Sequence, residues 1–190
     1  MATSESLGIE KKKLKKPPLQ LHYLGDRILR QPAKRVAKVD DSVRQVVRQM
    51  LQTMYSADGI GLAAPQVGIN KQILVIDIHL DDPDVPPLVM INPVIKEVSE
   101  DLELSQEGCL SIPGVFLEVR RPAMVEVAYK DEWGRPQTLV AGGLLARAIQ
   151  HEIDHLMGVM FVDRVENQAL LRHELKEHGF ANSTVRSIAA

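Results

Sequence analysis

The sequence predicts an α+β fold: mostly antiparallel strands packed around a buried metal-binding helix, with an amphipathic helix in the N-terminal half and another near the C terminus. Three observations carry that expectation. The run from Leu144 to Leu156 contains neither Pro nor Gly and carries apolar residues on two adjacent stripes, leaving few faces for water; a helix apolar over most of its circumference is buried. Val43, Val46, Val47, Met50, Leu51 and Met54 recur at the spacing of one helical face. Between residues 72 and 140 several short segments alternate, and Asp131-Glu132-Trp133-Gly134 turns one of them into the next as a β-hairpin.

The chain has 190 residues, is 45% hydrophobic and carries a net charge of −2, which suits one globular domain with a substantial core and shows no charge excess pointing to a partner. That domain is placed at residues 19–181, between a disordered basic tail at 1–18 and a frayed C-terminal tail at 182–190. No run of about 18 apolar residues is present and no apolar stretch follows the N-terminal basic residues, so neither a membrane span nor a secretory signal is expected, and the location read from this is cytoplasmic. The single cysteine, Cys109, cannot form an internal disulfide, which fits a reducing compartment.

Along the chain, Lys11-Lys12-Lys13-Leu14-Lys15-Lys16 followed by two prolines reads as a solvated tail. A ribosome or nucleic-acid contact is the less favoured reading, and no specific nucleic acid is expected. Leu21 to Leu29 is short, turns at Gly25-Asp26 and ends at Pro32. The first long helix starts at Asp41, capped by Asp40 or Asp41, and stops at Asp58-Gly59. Gly59 to Gln66 is a loop of small residues whose backbone is open to a neighbour. It lacks the third glycine of a dinucleotide fingerprint, and the Gln66 amide could donate to a developing oxyanion. Gln72 to Ile78 reads as a strand, 79–87 as a polar loop, Val89 to Ser99 with Pro93 inside as an edge strand, and Leu117 to Lys130 as one alternating strand entering the hairpin. Glu166 to His178 reads as an amphipathic surface helix with solvated His173 and His178.

The chemistry concentrates on the buried helix. His151 and His155 stand one turn apart, so both imidazoles can reach one cation, and Glu152 flanks them. His-Glu-x-x-His also arises by chance on helix surfaces. Burial decides between the readings, because two inward imidazoles beside carboxylates are costly to bury unless something binds them. Two histidines need at least a third protein ligand. That makes Cys109 a candidate, although a lone cysteine is more often core filler. A cation, a carboxylate able to take a proton and fixed donors to a carbonyl oxygen together describe metal-assisted amide hydrolysis.

Three segments, Gly59 to Gln66, Glu107-Gly108-Cys109-Leu110-Ser111 and Gln150 to His155, resemble in order and spacing the signature motifs of the peptide deformylases, in particular the bacterial and chloroplast-type branch. The resemblance implies that Cys109, His151 and His155 bind one divalent metal ion, ferrous iron in ordinary use, with zinc or nickel also accepted. It further implies that Glu152 is the general base and then the acid, that Gln66 and the Leu110 N–H hold the oxyanion, and that the Gly61 backbone docks the peptide. The implied substrates are N-formylmethionyl nascent peptides. Asp154 would support the ligands from behind. One departure stands out: where some members carry an Arg seven residues after the cysteine, this chain has Phe116. A zinc endopeptidase and a purely structural metal domain are the other readings. The first lacks a further His or Glu ligand after His155, and the second lacks a fourth protein ligand.

Overall fold

The computed structural model describes residues 7–188. Among them the chain forms α1 (Asp41–Ser56), β1 (Gly61–Ala63), β2 (Ile73–Ile76), β3 (Leu88–Val98), β4 (Leu102–Cys109), β5 (Ile112–Pro122), β6 (Met124–Lys130), β7 (Pro136–Gly142), α2 (Gly143–Leu156) and α3 (Gln168–Glu177). Five strands pair in the order β1-β2-β3-β6-β7, and β4 with β5 makes a separate two-stranded ribbon. Every pairing within these two sheets is antiparallel.

The α+β expectation is met, and the sheet explains why β2 reads as an unbroken apolar run. Ile73 and Val75 face α1, packing with Val47, Met50, Leu51 and Met54. Leu74 and Ile76 face the other way, packing with Ala146, Ile149 and Leu156 of α2. A strand covered on both faces buries every side chain, here all four. A third cluster joins Val115, Leu117 and Val119 of β5 to Phe161, Leu171 and Leu175, so the ribbon is clasped by the C-terminal part of the chain.

α1 starts where Asp40 caps it, its Oδ1 accepting from the N–H groups of Ser42 at 3.0 Å and Val43 at 3.2 Å. α2 ends where Gly158 turns left-handed at φ 76°. A side chain there would also meet the carbonyl oxygen of Arg30 at 2.8 Å, so both conformation and space reserve the position for glycine.

Five expectations are corrected. β3 is the central strand of its sheet and not an edge. Pro93 is tolerated because the ladder with β6 slips between Ile91 and Val94, a bulge that takes the missing N–H out of the pairing. Asn92 in that bulge, at φ 53°, clamps Val36 through both its N–H and its C=O at 2.8 Å. The alternation from Leu117 to Lys130 belongs to two strands in different sheets, separated at Ala123, whose N–H is taken by the Asp101 carbonyl at 2.8 Å. The last helix starts after Asn167, which caps it, while Glu166 leaves it to pair with Arg120.

The fourth and fifth corrections concern the tails. Residues 1–6 and 189–190 lie outside the described residues, but 7–18 run along the body, with Leu7 and Ile9 packed on the α1 cluster. Lys11 is drawn in: its Nζ lies 2.8 Å from Asp77 Oδ2 and donates to the carbonyls of His79 at 2.8 Å and Asp82 at 2.7 Å. Spaced leucine and isoleucine outweigh a lysine run once one ammonium has three oxygens to satisfy it. At the other end, the N–H groups of Arg186 and Ile188 donate to Asp163 at 2.7 and 2.9 Å, so the C-terminal segment is tied down and not frayed.

Lys11→Met is expected to lower stability by about 3 kcal/mol, since it strands the buried Asp77 carboxylate, and to lower Tm by roughly 5–10 °C. Thermal unfolding of the variant checks this; an unchanged Tm would show that the arm contributes nothing to the fold.

Candidate metal centre and active site

Three elements converge on one point. α2 supplies His151 and His155, the end of β4 supplies Cys109, and the short turn Ala64–Val67 supplies Gln66. The Cys109 thiol lies 3.3 Å from His155 Nε2, which lies 3.2 Å from His151 Nε2. The donor atoms of all three side chains fall within 4.8 Å of one another. His151 Nδ1 faces Glu107 Oε2 at 3.0 Å, and a carboxylate there keeps the ring proton on Nδ1 and the lone pair on Nε2. Two largely buried imidazole nitrogens and a half-buried sulfur facing one another are the donor set of a cation. One thiolate and two imidazoles suit a borderline divalent ion such as zinc, nickel or ferrous iron, so the residues fit the group.

Among protein groups alone, a proton answers part of that need. Burial opposes charge on His151, yet hydrogen bonds to Cys109 and Glu107 outweigh it and hold His151 well above the usual histidine range. Burial, followed by the charge on His151, pushes His155 well below that range.

Glu152 lies beside the cluster, 4% exposed, and its Oε2 makes no hydrogen bond among the described residues. Burial, reinforced by the charges of Glu107 and Asp154 and opposed by His151 and Arg121, pushes it up to about 7. Gly61 explains the space: a Cβ there would overlap Glu152 Oε1, so β1 must pass the carboxylate as bare backbone. Gln66 is 1% exposed and locked, its Oε1 accepting from Ala63 N–H at 2.8 Å while Nε2 donates to Ser111 Oγ at 3.1 Å and lies 3.5 Å from Cys109 Sγ. That orientation aims an N–H at the metal cluster. Leu110 sits at the two-residue tip between Cys109 and Ile112, which pair with each other, so it stands outside the ladder. Gln66, Leu110, Cys109, His151 and Glu152 all line one cleft of about 540 Å³.

The sequence singled out those residues and gave Asp154 a supporting place behind them, but missed Glu107 and the arginines that hold them. Glu107, 6% exposed, is gripped by Arg121, whose Nε and Nη2 donate to its two oxygens at 2.6 and 2.9 Å. Arg147 Nη1 adds a bond at 2.8 Å. Arg121 Nη1 also donates to Asp154 at 2.8 Å, and Arg164 grips Asp154 at 2.6 and 2.7 Å. Asp154 thus supports the site through arginines, and among the described residues its carboxylate makes no hydrogen bond to either histidine. A signal existed: Arg121 continues the inward register of Val115, Leu117 and Val119 on β5, and a charge at an inward position implies a buried partner.

The grip on Glu107 has a pH signature. Burial raises its pKa, but Arg121 and then His151 prevail and hold the carboxyl well below the ordinary 4.5. A carboxyl depressed on folding stabilises above its unfolded pKa and loses that contribution as pH falls through its folded one. Tm is therefore expected to drop progressively below about pH 4.5, and Glu107→Gln to flatten that slope at a cost in stability at neutral pH. An identical acid profile for the variant would show that other groups set it.

Comparison with known proteins then places the chain. Residues 18–170 match the family model described as polypeptide deformylase. The peptide deformylase of Thermosynechococcus vestitus is 84% identical over 185 residues, covering 97% of this chain and 98% of that protein. Peptide deformylase 1 of a Nostoc strain is 66% identical, covering 96% and 98%. Among solved structures, the Synechococcus elongatus peptide deformylase superposes with a TM-score of 0.94 at 69% identity, covering 95% of this chain and 98% of that one. A plant peptide deformylase does so with 0.81 at 39%, covering 86% and 90%. With a family model spanning most of its length and relatives this similar over nearly all of it, the chain belongs to the polypeptide deformylase family.

Proposed function

We propose that this chain hydrolyses the formamide at the N terminus of N-formylmethionyl nascent peptides, using one divalent metal ion held by Cys109, His151 and His155. The observation that carries the reading is the convergence of those three donors beside a buried carboxylate pushed up to about 7, on the floor of an open cleft. A divalent ion in such a donor set supplies Lewis acidity at the reacting carbonyl and makes water a competent nucleophile near neutral pH.

The protein residues do the rest. Glu152, buried beside the two histidines with Oε2 unpaired, takes a proton from the attacking water and returns it to the departing amine. The Gln66 amide, its C=O already committed to Ala63 N–H, turns its Nε2 toward the developing oxyanion, and the Leu110 N–H is the second donor. Such preorganised donors need no rearrangement as charge develops. The Gly61 backbone, lying along the cleft beside Glu152, is where an extended peptide would align. The residues describe amide hydrolysis, and formyl as the acyl group follows from membership of the polypeptide deformylase family; the cytoplasm, where nascent chains emerge, is the compartment that goes with it. No helix among the described residues is long and apolar enough to cross a membrane. A ribosome contact by the lysine run would fall to Lys15 and Lys16, since Lys11, Lys12 and Lys13 are paired with Asp77, Glu10 and Asp58.

For the ion we assign ferrous iron, with zinc and nickel as competent substitutes. Affinity alone favours zinc, but supply in the cell overrides the order of affinities. Protein purified without oxygen is expected to contain iron and to lose activity on peroxide treatment, while zinc- and nickel-loaded protein resists metal oxidation. Zinc as the sole metal, with full activity after peroxide, would overturn the assignment of iron.

The test of the function itself is formate release from a formyl-Met peptide beside an internal-peptide or casein control: formate without internal cleavage supports it, and the reverse rejects it. Glu152→Gln should retain the metal while kcat falls at least ~100-fold. Wild-type turnover by the metal-loaded variant would remove Glu152 from the mechanism.

A further inference from the structure

A second cavity, of about 380 Å³, shares no residue with the catalytic cleft and is lined by Arg27, Arg30, Gln31, Ser183, Thr184 and Arg186. Arg27 and Arg30 lie on one short 3-10 turn, Arg27–Arg30, where residues three apart stand over one another. The hydroxyl residues and Arg186 come from the C-terminal segment. Asp163 ties these two walls together. It is 2% exposed and accepts from both terminal nitrogens of Arg30, from the Arg186 N–H at 2.7 Å and from the Met160 N–H at 2.8 Å. Arg30 also donates to the carbonyls of Gly158 and Thr184. The cavity is therefore preformed, and the charge of Arg30 is already met.

Arg27 and Arg186 differ from Arg30. Both are exposed, and neither guanidinium makes an ion pair or hydrogen bond among the described residues. No carboxylate is among the described residues that line the cavity. The acids closest in the chain are committed elsewhere: Asp163 as above, and Asp26 to the His22 ring at 2.9 Å and the Tyr23 N–H at 3.3 Å. The Gln31 amide and the Ser183 hydroxyl are also without a partner among the described residues, which leaves two neutral donors beside the two cations.

Two unmatched guanidiniums thus share one concavity on a chain whose net charge is −2, so the attraction for an anion is local and owes nothing to an overall field. Guanidinium forks match the oxygens of a phosphate group. A phosphate monoester carries roughly two negative charges at neutral pH and balances both arginines, whereas a phosphodiester or a carboxylate balances one.

We propose that this cavity binds the phosphate monoester of a small molecule, with Arg27 and Arg186 as its charged contacts and Gln31 and Ser183 as neutral donors. The site is separate from the metal centre, and formate release does not depend on it.

Phosphorus-31 NMR titration of zinc-loaded, full-length protein with methyl phosphate and with dimethyl phosphate, at an ionic strength held constant with chloride, tests the proposal. Methyl phosphate is expected to bind saturably, and dimethyl phosphate at least roughly threefold more weakly. Arg27→Gln and Arg186→Gln should each weaken methyl phosphate binding roughly fivefold, and the double variant should abolish it. Both side chains are exposed, so Tm in chloride and formate release from formyl-Met-Ala should stay near wild type in every variant. Phosphate can also approach the metal ion, and the variants separate the two places. Methyl phosphate binding that is unchanged in the double variant, or no saturable binding by wild type, would overturn the proposal. Dimethyl phosphate bound as tightly as methyl phosphate would overturn the choice of a monoester.

Discussion

The carboxylate of Glu107 is the constraint on which the centre depends. A metal site on a buried helix needs its imidazoles neutral, correctly tautomeric and aimed, in surroundings where a stray charge is expensive. Glu107 meets all three demands through one contact, 3.0 Å from His151 Nδ1. It can stay ionised in the interior only because Arg121 and Arg147 surround it, and Arg121 in turn is balanced by Asp154. The ladder of charges runs from the ribbon β4-β5 into α2 and out to Arg164. It ties together the two elements that carry the thiol and the histidines. Removing any one member leaves a buried charge without its partner, so the network functions as a unit.

The fold arranges the rest around that tie. The three strands β1, β2 and β3 are covered by α1 on one face and by α2 on the other, so the helix bearing the ligands is fixed by apolar packing that owes nothing to the metal. β1 at the edge of the sheet brings Gly61 against Glu152 and passes directly into the turn that holds Gln66. The general base, the oxyanion donor and the backbone against which a peptide could lie are therefore set by one short stretch of chain. The N-terminal arm adds a brace behind it, because Lys11 satisfies Asp77, whose N–H donates to the Ile60 carbonyl at 2.8 Å.

How much of this was legible in the sequence varied with the range of the interaction. The helix with His151 and His155 was legible because local periodicity and the flanking glycines determine it. The grouping of Cys109, Gln66 and that helix was legible through the resemblance of three motifs, since nothing in the spacing alone brings residue 66 to residue 109. The division of the stretch 112–130 into two sheets was not legible: alternation continues across the break, and only the pairing of Ala123 and Met124 with the 99–101 turn shows where one sheet ends. The central position of β3 was hidden for a related reason, since proline usually marks an edge and the bulge that rescues it here is built by Asn92 and Val36, 56 residues apart. The buried arginines were missed because a charged residue reads as surface until its partner is known. The arm was misread because its lysines outnumber the leucine and isoleucine that seat it.

The central claim is that Glu107 fixes the tautomer of His151 so that its Nε2, with His155 and the Cys109 thiolate, faces the metal. Nitrogen-15 NMR of the histidine side chains in zinc-loaded protein reads this directly. The account predicts that His151 carries its proton on Nδ1 and shows metal ligation at Nε2, and that Glu107→Gln weakens zinc retention while shifting the Nδ1 proton signal. Ligation through Nδ1 of His151, or a signal unchanged when Glu107 is replaced, would contradict it.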